Sequence, residues 1–275
     1  LWFSQFLNGI CGVGVFLFLD RKVSRQSAIL GMLSVGLFSV FPSWFVNWGR
    51  FTQLSAQTIL LPAVLVTWEA LTSITDGKQI LNRKTIFELL LTGFLDAAVC
   101  LLHFRVAVFM LALILIICVS ELLNAKRDPS KIKILLGRIF LIGLITAVII
   151  LPTLKAGLES YIDQRVVQVS SSQGESLLTD QWYYSVGDTD TWKLTQKSSP
   201  FLALGLMGVF AGLLSKKNKK LSVIVLVWIL CLIGFSQLYL LNIYVLAFTN
   251  ITAILLILYL PIGIGCGILW NTIFE

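Results

Sequence analysis

Charged residues are scarce in this chain. They make up 13% of its 275 residues, against about 25% in an ordinary soluble domain. Hydrophobic residues make up 57% of the chain, and the mean hydropathy is +0.89. This balance excludes an ordinary soluble globular fold and predicts an integral membrane protein.

Several kinds of motif are also missing. The sequence contains no zinc motif, no phosphate-binding glycine loop and no nucleophile elbow. Its cysteines fall in or at the ends of apolar runs, while the one long polar segment has none, which excludes a disulfide framework; they are Cys11, Cys100, Cys118, Cys231 and Cys266. The net charge of +7 comes from short basic clusters between apolar runs, a pattern typical of membrane orientation and not of nucleic-acid binding.

The chain begins at Leu1 inside an apolar run. No initiating methionine, basic leader region or small-residue cleavage site precedes that run. We therefore expect a piece of a longer protein, with residues essential to its site in the upstream part.

Apolar runs long enough to cross a bilayer core as helix follow one another along the chain. They lie at about 1–19, 27–46, 56–72, 85–102, 104–123, 135–154, 199–215, 221–241 and 249–270. The sequence thus predicts an all-α transmembrane bundle of about nine spans. Helices 1–6 occupy 1–154 with outer turns at 47–55 and 103–105, a long extracytoplasmic loop occupies 155–198, and helices 7–9 occupy 199–275.

The basic clusters alternate with the apolar runs and would all lie on one side of a nine-span bundle. They are Arg21, Lys22 and Arg25; Lys78, Arg83 and Lys84; Lys126, Arg127, Lys131 and Lys133; and Lys216, Lys217, Lys219 and Lys220. The positive-inside rule puts that side in the cytoplasm and the long loop outside the plasma membrane. The alternation requires a turn at His103, because one helix over 85–123 would be about 57 Å long, nearly twice the hydrocarbon core of about 30 Å.

The polar and aromatic stretch at 42–57 is the first candidate site. If a helix begins near Gly49, then Arg50, Gln53 and Gln57 lie at i, i+3 and i+7 on one face. Arg50 and the free N–H groups of a helix start are suited to hold a phosphate, with the two amides below them. In the alternative interpretation, Arg50 extends to lipid headgroups and its neighbouring tryptophans belong to the interfacial belt.

The turn at 103–105 is the second candidate. His103, the one histidine of the chain, is a candidate acid or base, and Arg105 a candidate ligand for a second phosphate oxygen. Asp96 lies about two helical turns before His103, on the same face. It can orient His103, pair with Arg50 or Arg105, or relay protons, and a structural ion pair is the alternative.

The segment at 155–198 holds acidic residues that are candidates for a general base or for a divalent-cation site, with solvated turns as the alternative. They are Glu159, Asp163, Asp180, Asp188 and Asp190. No cofactor is firmly indicated. The first part of the segment either extends the sixth helix or lies flat on the membrane.

The stretches P-S-W-F-V-N-W-G-R-F-T-Q at 42–53 and L-L-H-F-R-V at 101–106 resemble polytopic membrane glycosyltransferases of the GT-C type, the architecture of protein mannosyltransferases and aminoarabinose transferases. The resemblance implies a sugar carried on a polyprenyl phosphate and transferred on the outer face, with Arg50, His103 and Arg105 as ligands of the lipid phosphate. It also implies a catalytic acidic residue in the first outer loop. This sequence has no counterpart of that residue, which we expect upstream.

The leading hypothesis is therefore part of a GT-C-like glycosyltransferase, with polyprenyl-phosphate-linked sugar and membrane lipids as partners. A polymerase or ligase of lipid-linked glycans fits the same features. A transporter or flippase would favour polar groups at the midplane and internal repeats; Asp96 and Gln57 favour it, whereas most polar residues lie near one face. A non-catalytic assembly subunit is the remaining alternative.

Overall fold

A computed structural model of the chain describes residues 6–7, 9–39, 51–73, 83–125, 128–171, 196–237 and 257–274, with the backbone alone over 157–171. The regular elements in these ranges are α-helices, as the sequence predicts. They are α1 (Val13–Lys22), α2 (Arg25–Phe38), α3 (Phe51–Thr72), α4 (Arg83–Leu102), α5 (Phe104–Ala125), α6 (Pro129–Ser171), α7 (Ser199–Leu214), α8 (Lys219–Ser236) and α9 (Tyr259–Phe274).

Four of the described helices are long and apolar enough to cross a membrane: α3, α4, α5 and the Pro129–Ala156 part of α6. The helices α7 and α9 are apolar but have 16 residues each, fewer than the roughly 20 that a bilayer core requires. These features indicate a membrane protein, and the count of about nine spans stays a prediction.

The helix boundaries agree with the sequence in one place and correct it in another. The division of 85–123 at His103 is confirmed: one non-helical residue separates α4 from α5, its N–H donates to the Val99 carbonyl at 3.0 Å, and its carbonyl accepts from Ala107 at 3.1 Å. The predicted turn at 47–55 is wrong over its second half, because α3 begins at Phe51. Hydropathy detects the apolar part of a helix only. The first turns of α3 are polar, and they were therefore assigned to the turn.

One end of the bundle collects basic side chains around Trp68 of α3; we call it the basic end. The Lys22 Nζ atom lies 4.4 Å from the centroid of the Trp68 ring, and the Lys220 Nζ atom lies 5.8 Å from it. The Trp68 Nε1–H donates to Glu121 Oε1 at 2.8 Å, and Lys220 Nζ lies 2.7 Å from the same oxygen. The end of α1, the ends of α3 and α5 and the start of α8 therefore meet here.

Further polar contacts bring α2, α4, α6 and α9 to the same end. The Ser73 hydroxyl, directly after α3, donates to Glu88 of α4 at 3.4 Å. Ser24 and Ser27, at the start of α2, donate to Oδ1 of Asn271 near the end of α9, at 3.1 and 3.2 Å. Arg138 of α6 donates to the Ala70 carbonyl and, at 2.8 Å, to the Ser73 hydroxyl at the end of α3. Successive helices thus run in opposite directions, and the starts of α3, α5, α7 and α9 lie at the opposite end.

Glycines let α7 and α9 pack backbone against backbone. A Cβ atom at Gly208 would overlap the Gly265 carbonyl, and one at Gly205 would overlap Ile262. On the other side of α9, a Cβ at Gly31 of α2 would lie 3.1 Å from the Gly263 carbonyl oxygen. Close approach through small residues is a common way for membrane helices to associate, and it makes α2, α7 and α9 the most tightly packed part of the described fold.

Candidate functional site

Two glutamines on the first turns of α3 are buried at the opposite end of the bundle. Gln53 is 1% exposed and Gln57 is fully buried. They are separated by four residues and therefore lie on one face of the helix. The oxygen and nitrogen of both amides have no hydrogen-bond partner. Buried polar groups are nearly always paired, so these four amide atoms, unpaired among the described residues, make this helix face a candidate site for a polar ligand or water.

Two further hydroxyl groups at this end are also buried without a partner. They belong to Ser198, which precedes α7, and to Tyr259, which begins α9. The starts of α3, α7 and α9 thus each contribute an unpaired polar group. Arg50, the cation that the sequence places above Gln53, lies outside the described residues, as do the side chains of the acidic candidates from Glu159 to Asp190.

The turn between α4 and α5 lies at the same end. His103 and Arg105 are both half-buried, and each has an interaction partner. Both side chains therefore lie where the sequence predicts, at a helix junction on the end away from the basic cluster. Their proposed roles at a lipid phosphate stay predictions.

Asp96 lies deeper, and its polar neighbour comes from another helix. It is 5% exposed, and each of its carboxylate oxygens lies 3.2 Å from the Thr67 hydroxyl of α3. That hydroxyl also lies 2.9 Å from the Ala63 carbonyl oxygen. Among the described residues, Asp96 forms no ion pair with Arg105 and no hydrogen bond with His103, the partners that the spacing along α4 suggests.

A groove of 730 Å³ runs beside Asp96 between α4, α5 and α6. Its lining is mainly apolar, with side chains such as Phe104, Met110, Ile142 and Leu154. Sequence reasoning missed it, because the groove is formed by side chains of four helices, α3 to α6, whose packing no local pattern reveals. Within the described ranges, no three His, Cys, Asp or Glu side chains lie close enough together to hold a metal ion.

The basic end holds a polar cluster whose contacts between helices the sequence did not predict. Burial lowers the pKa of Lys22, while the charges of Glu69 and Glu121 act in the opposite direction. Glu121 accepts from both Trp68 and Lys220. These contacts join α1, α3, α5 and α8, and they give the cluster an evident role in holding the helices together.

In the described residues, the fold and these sites define an all-α protein of membrane type, with two buried glutamines on the first turns of α3 and an apolar groove beside a buried carboxyl group. Comparisons with protein-family models, with curated proteins and with solved structures find no match for the chain.

Proposed function

We propose that the chain is part of a GT-C-like membrane glycosyltransferase that binds a polyprenyl-phosphate-linked sugar at the end of the bundle opposite the basic cluster. In this proposal the helices form about nine spans in the plasma membrane, the basic end faces the cytoplasm, and the sugar is transferred on the outer face. The resemblance at 42–53 and 101–106 motivates the choice of substrate.

The observation that carries the proposal is the pair of buried amides, Gln53 and Gln57, with no hydrogen-bond partner. A phosphate with an attached sugar offers what they lack: phosphate oxygens accept from the amide nitrogens, and sugar hydroxyls donate to the amide oxygens. The starting N–H groups of α3 have no partner within the helix and favour an anion at the same place.

Cationic residues at this end have a further role in the proposed reaction. Arg105 at the start of α5 and Arg50 before α3 neutralise the phosphate as negative charge develops on it when the sugar leaves. His103 acts as acid or base at the acceptor or at the phosphate.

Native mass spectrometry of the full-length protein from its own membranes tests the proposal. The wild-type protein is expected to retain a polyprenyl phosphate or its sugar adduct, and Gln53→Leu, Gln57→Leu and Arg50→Ala are expected to lose it. Gln26→Leu is the matched control, because Gln26 is an exposed amide at the start of α2. If only bulk phospholipid accompanies the wild-type protein, the proposed substrate is wrong.

A transporter or flippase is the second candidate, because Asp96 is buried well within α4 and polar groups near the midplane are typical of transporters. Reconstitution into vesicles separates the two functions. Movement of a lipid-linked sugar between leaflets, without transfer to an acceptor, would favour the transporter.

A further inference from the structure

A single carboxyl group lies beside the apolar groove between α4, α5 and α6. Asp96 and Thr67 are among the residues that line the groove, and Thr67 is the hydrogen-bond partner of Asp96. The Thr67 hydroxyl has one proton to donate, and the Ala63 carbonyl oxygen competes for it at 2.9 Å. The carboxyl group is therefore weakly compensated.

An ionised Asp96 would have no compensating charge nearby. None of the ion pairs formed by the described side chains includes it, and the described lining of the groove contains no lysine, arginine or histidine. A carboxylate shielded from water is costly unless a cation or several donors compensate it. The groove thus lacks a positive charge next to an extensive apolar surface.

We propose that this groove binds a lipophilic organic cation, whose charged group pairs with Asp96 and whose apolar body lies among α4, α5 and α6. The chemistry of the ligand follows from the lining, which is apolar except for the carboxyl, hydroxyl and thiol groups of a few side chains. The volume of 730 Å³ lies in the range of about 300–1,000 Å³ that small-molecule sites occupy.

This site adjoins the proposed phosphate site, because Phe104, which lines the groove, lies between His103 and Arg105. Its carboxyl group, however, lies deeper in the bundle. Asp96 lies about 10 Å from His103 along α4, at about 1.5 Å per residue. The groove extends along α6 from Ile139 to Leu154, a length of about 22 Å by the same measure. The glutamines at the start of α3 are not part of its lining, so cation binding does not depend on the proposed transferase function.

Equilibrium dialysis of the detergent-solubilised full-length protein with labelled tetraphenylphosphonium tests the proposal, with protein-free micelles as the blank. We expect saturable binding of one cation per chain and much weaker binding of the neutral analogue triphenylphosphine oxide. Asp96→Asn should weaken cation binding by about tenfold or more, the effect of removing one partner of a shielded ion pair. Asp20→Asn, which removes an acidic group paired with Arg25 at 3.7 Å, should leave it unchanged.

A pair of glycine variants tests the location without altering the carboxyl group. Gly143 lines the groove, and a Cβ added there meets no atom within 4 Å. Gly143→Trp should therefore obstruct the groove without a backbone clash and abolish binding. Gly137 on the same helix also has open space around a Cβ and does not line the groove, so Gly137→Trp should retain binding. If the Asp96→Asn variant does not fold, the comparison of Gly143→Trp with Gly137→Trp tests the proposal instead.

Four results would overturn the proposal. They are absence of saturable binding in the wild-type protein, equal affinity for the neutral analogue, unchanged cation affinity in a folded Asp96→Asn variant, and unchanged affinity in Gly143→Trp.

Discussion

Replacing Gln57 by leucine should stabilise the ligand-free protein and remove its ability to retain a lipid phosphate. Gln57 is fully buried, and neither atom of its amide is hydrogen-bonded. Its neighbours on α3, Leu54, Leu60 and Leu61, are fully buried members of the hydrophobic core. We therefore expect leucine to give a more stable ligand-free protein than glutamine does, since residues that form a binding site often lower the stability of the ligand-free state.

The magnitude follows from the desolvation of the amide. Mutational data put the cost of burying such a group without a hydrogen bond at about 1–3 kcal/mol, and leucine avoids that cost at similar volume. A change of 1 kcal/mol shifts the Tm of a chain of this general size by about 2–4 °C. The delipidated Gln57→Leu variant should therefore unfold several degrees above the wild-type protein.

Tryptophan fluorescence during heating measures this shift in delipidated, detergent-solubilised protein. Gln26→Leu should stay within about 0.5 kcal/mol of the wild type, because exposed substitutions usually do. With lipid phosphate added back, the wild-type Tm should rise by mass action and that of Gln57→Leu should not. A lower Tm for delipidated Gln57→Leu would show that the amide has a partner, such as a bound water, and would refute the reasoning from unpaired groups.

Three further predictions concern packing and topology. Gly208→Ala should lower the stability by about 1–3 kcal/mol, because the added methyl group separates α7 from α9. Gly137→Ala should raise the stability by up to about 1 kcal/mol, because there is open space around a Cβ at that position. Equal thermal midpoints for the two variants would contradict this prediction. Arg138→Lys should cost about 1–3 kcal/mol, since Nη1 of Arg138 donates to both Ala70 and Ser73 and the shorter lysine side chain does not bring its ammonium group to that position. An ammonium group that makes both contacts would leave the midpoint unchanged. Ser172→Cys should react with an impermeant maleimide on intact cells and Lys219→Cys only after permeabilisation, and the reverse pattern would invert the proposed orientation.

Local sequence features predict the helices and one of their junctions. The break at His103 was predicted because the apolar run at 85–123 exceeds what one membrane helix needs and a turn there keeps the basic clusters on one side. A helix that begins near Gly49 was considered for the face of Arg50, Gln53 and Gln57, but the outer turn was assigned to 47–55 because Thr52 and Gln53 are polar, whereas 51–55 belong to α3. Their backbone nevertheless continues the helix, and the buried position of Gln53 depends on surrounding helices that hydropathy does not describe.

The polar partnerships within the bundle could not be predicted from spacing. Asp96 shares a face of α4 with His103, but the side chain that it contacts is Thr67 of α3. Trp68 and Glu121 likewise belong to different helices and meet through packing. Spacing along a helix shows which residues share a face, and it carries no information about which helix covers that face. The groove beside Asp96 was missed for the same reason.

The glutamine pair and the groove should respond independently to substitution, because Gln53 and Gln57 do not line the groove, although Phe104 at the α4–α5 turn does. Near the first turns of that helix, α1 packs closely: a Cβ at Gly14 would lie 3.1 Å from the Thr58 carbonyl oxygen. Thr67, about 15 Å further along α3 than Gln57, lines the groove instead. Gln57→Leu should therefore leave binding of tetraphenylphosphonium intact, and Gly143→Trp should leave retention of a lipid phosphate intact. If either variant abolished both activities, the phosphate and the cation would share one site that extends along α3, and the separation of the two sites would be wrong.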